Sequence, residues 1–479
     1  MKHKGLSDYI IGFIWKITIV KKAYTFYNVY YEKTVVFLER TQQGGIELEA
    51  ISIGLLGLGT VGTGVVKIIE DHQDKLMHQI GCPIKINKVL VKDLTKERAV
   101  EIAPELLTTN AKDVIDNPEI DVIIEVMGGV DETRNYLLQA LKNKKHVVTA
   151  NKDLMALYGS ELLSVAVENS CDLFYEASVA GGIPILRSLV DGLSSDHITK
   201  MMGIVNGTTN FILTKMTKQG SAYEEVLKEA QRLGYAETDP TSDVEGLDAA
   251  RKMVILATLG FSMKIDLDDV RVQGITNITE EDLKYAKQLG YTMKLIGMAQ
   301  IEDDKVEVSV QPTLLGETHP LAAVNNEYNA VYVYGEAVGE TMFYGPGAGS
   351  LPTATSIVSD LVVVLKNMVL GVNGKSIISP QFEKRMKEPN EIRSKYFLRL
   401  HVIDEVGVFA NITSIFTNHG VSFEKILQLP VKEKGLSELV VVTHSTSLQD
   451  YEKILVELED LPSVQHIKSS YRVEGNGHS

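Results

Sequence analysis

From residue 51 onward, apolar and polar positions alternate between short buried runs and helical spacing. Ile51-Ser-Ile-Gly-Leu-Leu56 predicts a buried strand, and Val61 to about Asp71 has the spacing of an amphipathic helix. Lys85–Val91 and Asp121–Val126 predict further strands, Thr133–Lys142 a helix and His146–Thr149 another strand. Strands alternating with helices predict a parallel sheet covered on both faces, a doubly wound α/β fold of Rossmann type. From 151 to 344 the pattern changes to longer helices mixed with antiparallel-type strands, an α+β region. Gly345–Pro352 punctuates its end, and an apolar helix follows from Ala354 to about Leu370. Residues 376–394, with Pro380, Pro389 and many charges, predict a linker. The remainder reads as strand 396–403, helix 407–419, strands 421–429 and 436–444, helix 447–459 and strand 464–473. That βαββαβ order predicts a ferredoxin-like sandwich.

Residues 1–45 lack this alternation. They hold Trp15 and a dense aromatic set, and Lys2 and Lys4 precede an apolar run in the manner of a signal peptide. Lys16 interrupts that run and no A-x-A-like site follows, which argues against secretion. The segment is read as an extension outside the fold, either a dispensable tail or sequence upstream of a start near Gln43–Leu48. The expected organisation is then 46–150 (with a return segment, 345–375) for the doubly wound domain, 151–344 for the α+β domain, 376–394 for the linker and 395–475 for the C-terminal sandwich.

Composition narrows the partners. With 48 Lys and Arg against 63 Asp and Glu, the net charge of −15 opposes binding to nucleic acid or an anionic membrane. Two cysteines, Cys82 and Cys171, are too few for a disulfide framework and point to the cytoplasm. The 11 histidines show no H-E-x-x-H spacing, so no catalytic zinc is expected.

The chemistry begins at Gly57-Leu58-Gly59-Thr60-Val61-Gly62, a G-x-G-x-x-G turn between the first strand and helix. Such glycines allow a tight turn, close approach of backbone to a pyrophosphate and close helix–sheet packing. NAD or NADP is therefore expected. After the second strand, Lys92-Asp93-Leu-Thr-Lys96-Glu-Arg98 offers one acid for a ribose hydroxyl and cations for a 2′-phosphate; NADP is favoured, with NAD as the alternative. Gly374-Lys375-Ser376 imitates the end of a P-loop, but Val369 stands where the first glycine belongs and a helix precedes it.

Thr149-Ala-Asn-Lys152, Tyr175–Pro184, Gly203–Phe211, Gly234–Pro240, Asp243–Lys252 and Gly345–Thr353 follow the glycine turn in a fixed order. Together they resemble homoserine dehydrogenase in its monofunctional long form, with a C-terminal ACT domain. The resemblance implies reversible NAD(P)H reduction of L-aspartate 4-semialdehyde to L-homoserine, on the route to threonine, methionine and isoleucine. It assigns Lys152 and Lys252 as catalytic lysines. Glu237 and Asp248, with Asp243 nearby, are expected to hold the amino end and hydroxyl, and Gly207 and Thr208 the carboxylate. Gly128 and Gly349 are expected to complete the cofactor cleft. Glu176, Val179, Gly181 and Ile183 resemble a monovalent-cation site, for sodium, built from one carboxylate and three carbonyls. In the last domain Asp404, Gly407 and Asn411 resemble an ACT effector loop, with threonine the expected ligand and a homo-oligomer, dimer or tetramer, the expected assembly.

Simpler readings stand beside these. Asp248 and Lys252 have the i,i+4 spacing of a solvated salt bridge, Asn206 and Asp404 suit helix caps, and ACT domains also serve only to dimerise. A non-catalytic amino-acid sensor and an oxidoreductase of another semialdehyde are the alternative functions.

Overall fold

The computed structural model describes residues 50–375, 380–431 and 435–475; the extension at 1–45 lies outside them. The first domain is a parallel sheet of β1 (Ile51–Leu56), β2 (Ile84–Leu90), β3 (Leu107–Thr108), β4 (Val122–Glu125), β5 (His146–Thr149) and β6 (Leu173–Phe174), in the order β3-β2-β1-β4-β5-β6. Helices α1 (Thr60–Asp71), α2 (Asp131–Lys142) and α3 (Lys152–Glu168) connect it. The strand order reverses between β1 and β4, so the carboxyl ends of those strands open the crevice where α/β sheets bind ligands.

The next region supplies β7 (Ile198–Ile204), α4 (Gly207–Gln219), α5 (Leu247–Phe261), β8 (Val270–Val272), α6 (Glu280–Gln288), β9 (Tyr291–Glu302), β10 (Lys305–Gly316), β11 (Tyr328–Gly335) and β12 (Gly339–Pro346). Helix α7 (Ser350–Leu370) then returns to the first sheet. Its Ile357, Leu361, Val364 and Leu365 pack with Val65, Val66 and Ile69 of α1 against Ile53, Val122 and Val148. It begins earlier than the pattern suggested, because Pro352 falls in its first turn, where no intrahelical N–H is needed. Among the described residues it is the one helix long and apolar enough to cross a membrane, and much of it is buried in this core.

The last domain contains β13 (Arg393–Ile403), α8 (Val408–Asn418), β14 (Phe423–Pro430), β15 (Leu436–Thr443), the two-residue β16 (Thr446–Ser447), α9 (Leu448–Glu459) and β17 (Val464–Glu474). Its strands run β17-β13-β15-β14, all antiparallel. This sheet is not free-standing. β17 pairs in parallel with β10, Thr313 to Leu315 matching Arg472 to Glu474, and so continues the substrate-domain sheet β12-β11-β7-β9-β10. The segment read as a linker is also docked where it is described. Val306 N donates to Arg385 O and Lys387 N to Val306 O, both at 2.8 Å, and Lys384 meets Asp266 and Asp269 at 2.8 and 2.7 Å. Two of its lysines, Lys384 and Lys387, thus meet surface acids, the second pairing with Glu302 at 2.5 Å.

Candidate active site

The chain turns between β1 and α1 in three residues, and each glycine there has a distinct reason. Gly57 has φ +106°, and a Cβ on it would lie 2.9 Å from Met127 backbone. A Cβ on Gly62 would lie 2.4 Å from the Gly57 carbonyl oxygen. Gly59 has nothing within 4 Å of its would-be Cβ, so its backbone is bare beside the helix N-terminus. Bare backbone with first-turn N–H groups is the donor set that fits a pyrophosphate. Leu58 and Val61 pack on the core, while Thr60 is exposed and its carbonyl accepts the Ser350 hydroxyl at 2.7 Å. Lys92 is exposed, two residues beyond β2 at the same end of the sheet.

A buried carboxylate that the sequence reading passed over shapes the neighbouring loops. Glu125, the last residue of β4, accepts from Met127 N at 2.9 Å, Gly128 N at 3.0 Å and the Thr149 hydroxyl at 2.5 Å. Asn151 caps α3 through Leu154 N and donates to Gly129 O at 2.7 Å. The Gly128–Gly129 turn and the Thr149–Lys152 segment are thereby tied together, with burial holding Glu125 above the usual carboxylate range against those hydrogen bonds. The only hint in the sequence is an acid closing an otherwise apolar strand.

Beyond these loops lies a cleft of about 860 Å³. Lys152, Gly207, Thr208, Glu237, Asp243, Asp248, Lys252 and Gly349 all line it, so residues 200 positions apart in sequence meet there. Asp248 is its centre. Its Oδ2 accepts from Lys252 Nζ at 2.7 Å, and its Oδ1 stands 3.4 Å from Lys152 Nζ. Burial opposes ionisation of Asp248, but Lys252, Lys152 and the hydrogen bonds from Lys252 and Asn206 outweigh it and hold the carboxyl below its usual range. Lys252 also donates to Val205 O at 2.6 Å and is largely buried. This is not the solvated i,i+4 pair of an exposed helix.

Asn206 caps α4 by accepting from Thr209 N at 2.8 Å, and the same side chain donates to Asp243 and Asp248. Sequence spacing had suggested only the cap. The threonine hydroxyls offered for a carboxylate are already engaged: Thr208 donates to Tyr235 O at 2.5 Å and Thr209 to Asn206. The N–H groups at the start of α4 remain as donors. Glu237 is exposed at the lip of the cleft.

The remaining expected sites lie elsewhere. The Glu176 carboxylate accepts from Leu186 N and Arg187 N, both at 2.8 Å, and Gly181 O accepts the Ser356 hydroxyl at 2.7 Å. Val179 and Ile183 are buried alongside. Asp404 is exposed after β13, Gly407 begins α8 at φ +92°, and Asn411 is exposed one turn on. Val408 N is 3.4 Å from Glu405 O.

Three family models match the chain: the homoserine dehydrogenase NAD-binding domain over residues 57–176, homoserine dehydrogenase over 184–362 and the ACT domain over 396–463. Homoserine dehydrogenase from Bacillus subtilis is 70% identical over 433 residues, covering 90% of this chain and all (100%) of that protein. The homoserine dehydrogenase structure from Thiobacillus denitrificans superposes with a TM-score of 0.84 at 39% identity, covering 89% of this chain and 99% of that one. The S. aureus enzyme at pH 7.5 gives 0.72 at 41% identity, over 89% and 100%. The chain belongs to the homoserine dehydrogenases, NAD(P)-dependent oxidoreductases, and carries an ACT domain at its carboxyl end.

Proposed function

We propose that the cleft interconverts L-homoserine and L-aspartate 4-semialdehyde, with Lys252 and Lys152 serving the reacting oxygen. The observation that carries this reading is Asp248, one buried carboxylate shared by lysines from two domains. An alkoxide formed at the aldehyde carbon must gain a proton, and a lysine held at fixed geometry supplies it. Lys252 is the donor, and Lys152 adds positive charge where the oxyanion develops. Asp243 and Glu237 face the substrate ammonium, and the N–H groups of Gly207 and Thr208 its carboxylate. A nicotinamide dinucleotide, when bound, supplies or removes the hydride; the Gly57–Gly62 turn, Gly128, Lys152 and Gly349 are assigned to hold it. Lys92, with Arg98 nearby, favours NADP over NAD. A sodium-like cation at Glu176, Val179, Gly181 and Ile183 has a structural role. The ACT loop at Asp404, Gly407 and Asn411 senses threonine in a cytoplasmic homo-oligomer on the threonine, methionine and isoleucine route.

The test is homoserine-dependent reduction of NADP and of NAD, each with and without L-threonine. Turnover suppressed by threonine supports both the site and the sensor. Turnover indifferent to it keeps the enzyme and leaves the ACT domain to assembly or another effector. Absence of turnover with either cofactor favours the non-catalytic sensor.

A further inference from the structure

Every polar atom of the Asn206 side chain is engaged, and the side chain is buried. Oδ1 accepts from Thr209 N at 2.8 Å and Thr209 Oγ1 at 3.0 Å. Nδ2 donates to Asp243 Oδ1 at 2.7 Å and Asp248 Oδ2 at 2.8 Å. The opposite amide orientation would aim a carbonyl at two carboxylates and an NH2 at a backbone N–H, so the network fixes the assignment. A helix cap needs only the oxygen, which serine or aspartate also provides. The paired donors are what asparagine adds.

We infer that Asn206 is a positioning residue for the reaction, bridging Asp243 and Asp248 so that the Asp248 carboxylate keeps one oxygen for Lys252 and the other for Lys152. The inference rests on the reading of Asp248 and Lys252 as the pair that handles the proton. With Asn206 and Lys252 both on Oδ2, rotation of the carboxylate is blocked and Oδ1 is left to Lys152. The charged groups lining the cleft around the amide are Asp243 from the short helix Thr241–Val244, Asp248 and Lys252 from α5, Lys152 from α3, and Glu237, Asp239 and Glu327. Burial pushes Asp243 toward protonation, the charge of Asp248 adds to it, and donation from Asn206 and attraction by Lys252 oppose both. Without the amide donor, Asp243 protonates at higher pH.

Asn206→Ser and Asn206→Asp keep a cap acceptor and remove the paired donors; Asn206→Ala removes both. Melting temperature, KM, kcat and the pH profile of homoserine oxidation are measured for all three. The expected result for Asn206→Ser is a near-native melting temperature, a fall in kcat of about 10- to 100-fold from misplacement of the catalytic groups, a smaller change in KM and an acid limb moved to higher pH. Asn206→Asp should share the loss of kcat, with a lower melting temperature because it sets a third carboxylate against Asp243 and Asp248. Native kcat and pH profile in either cap-preserving variant would overturn the inference and leave Asn206 a helix cap. Asp248→Asn and Lys252→Ala are assayed in parallel; native turnover in those variants would sink the underlying reading instead.

Discussion

Lys152 Nζ stands 3.4 Å from Asp248 Oδ1, although Lys152 opens a helix of the dinucleotide sheet and Asp248 lies in the first turn of α5. The two domains therefore meet through a charge pair at the cleft. Removing either lysine takes away one of the charges that oppose burial at Asp248 and so raises its carboxyl. Lys252→Ala is expected to lower kcat by about 10²- to 10⁴-fold while the dinucleotide still binds. Steady-state rates with a cofactor fluorescence titration check this; unchanged turnover would remove Lys252 from the chemistry.

Gly59 and Gly62 should separate binding from folding. Gly62→Ala forces a methyl to within 2.4 Å of a backbone oxygen and is expected to cost about 1–3 kcal/mol of stability. Gly59→Ala meets nothing in the protein, so its melting temperature should stay native while the dinucleotide dissociation constant rises. Thermal melts and titrations of both variants decide the matter. Equal dinucleotide affinity in Gly59→Ala and the native protein would contradict the assigned role of the turn.

Lys294 gives a pH prediction. It is 1% exposed on β9, donating to Val324 O at 2.5 Å and Asn210 Oδ1 at 3.0 Å, and burial first, then the Lys218 charge, pushes its pKa down to about 7. Unfolded, it titrates near its ordinary value of about 10.4. The folded state thus binds fewer protons between those values, so its contribution to stability is complete above the unfolded pKa and is lost as pH falls toward 7. Urea midpoints should rise from neutral to alkaline pH, and Lys294→Met should flatten that slope. An identical slope in the variant would refute the assignment.

Arg399 of β13 lies between two buried acids, with Nη1 3.2 Å from Asp282 of α6 and Nε 3.2 Å, out of hydrogen-bond alignment, from Glu438 of β15. Ser469 and Tyr471 also bond Asp282, and Tyr285 bonds Glu438 at 2.8 Å. Arg399→Ala removes the positive charge that both buried carboxylates face, leaving them only neutral hydrogen-bond donors, and is expected to destabilise the protein by about 3–5 kcal/mol. Denaturant unfolding measures this; a loss below about 1 kcal/mol would mean that the buried acids find other partners.

Much of this architecture was legible because its signals are local. The apolar runs at Ile51–Leu56 and Asp121–Val126 mark strands by themselves, and the βαββαβ unit declares itself over consecutive residues. The pairing of Thr313–Leu315 with Arg472–Glu474 joins segments far apart in the chain, and no residue in either segment encodes its partner. The charges at 384 and 387 looked solvated because the acids that meet them, Asp266, Asp269 and Glu302, come from other elements. At the cleft, the family resemblance pointed to Lys152, Asp248 and Lys252, whereas spacing alone suggested a solvated i,i+4 pair. The second use of Asn206 and the loop tie at Glu125 depend on three-dimensional neighbours.

The shared sheet sets a limit on transplanting parts between proteins. A C-terminal module exchanged at the 376–394 junction would have to bring a final strand that continues β10 in register, and a residue to satisfy Asp282. Without both, the graft would leave a raw edge at Thr313–Leu315, open to pairing with any other extended chain. The ACT domain and the catalytic region of this protein are therefore matched as a pair, and new properties in that domain are better sought by altering loops within the native module than by replacing it.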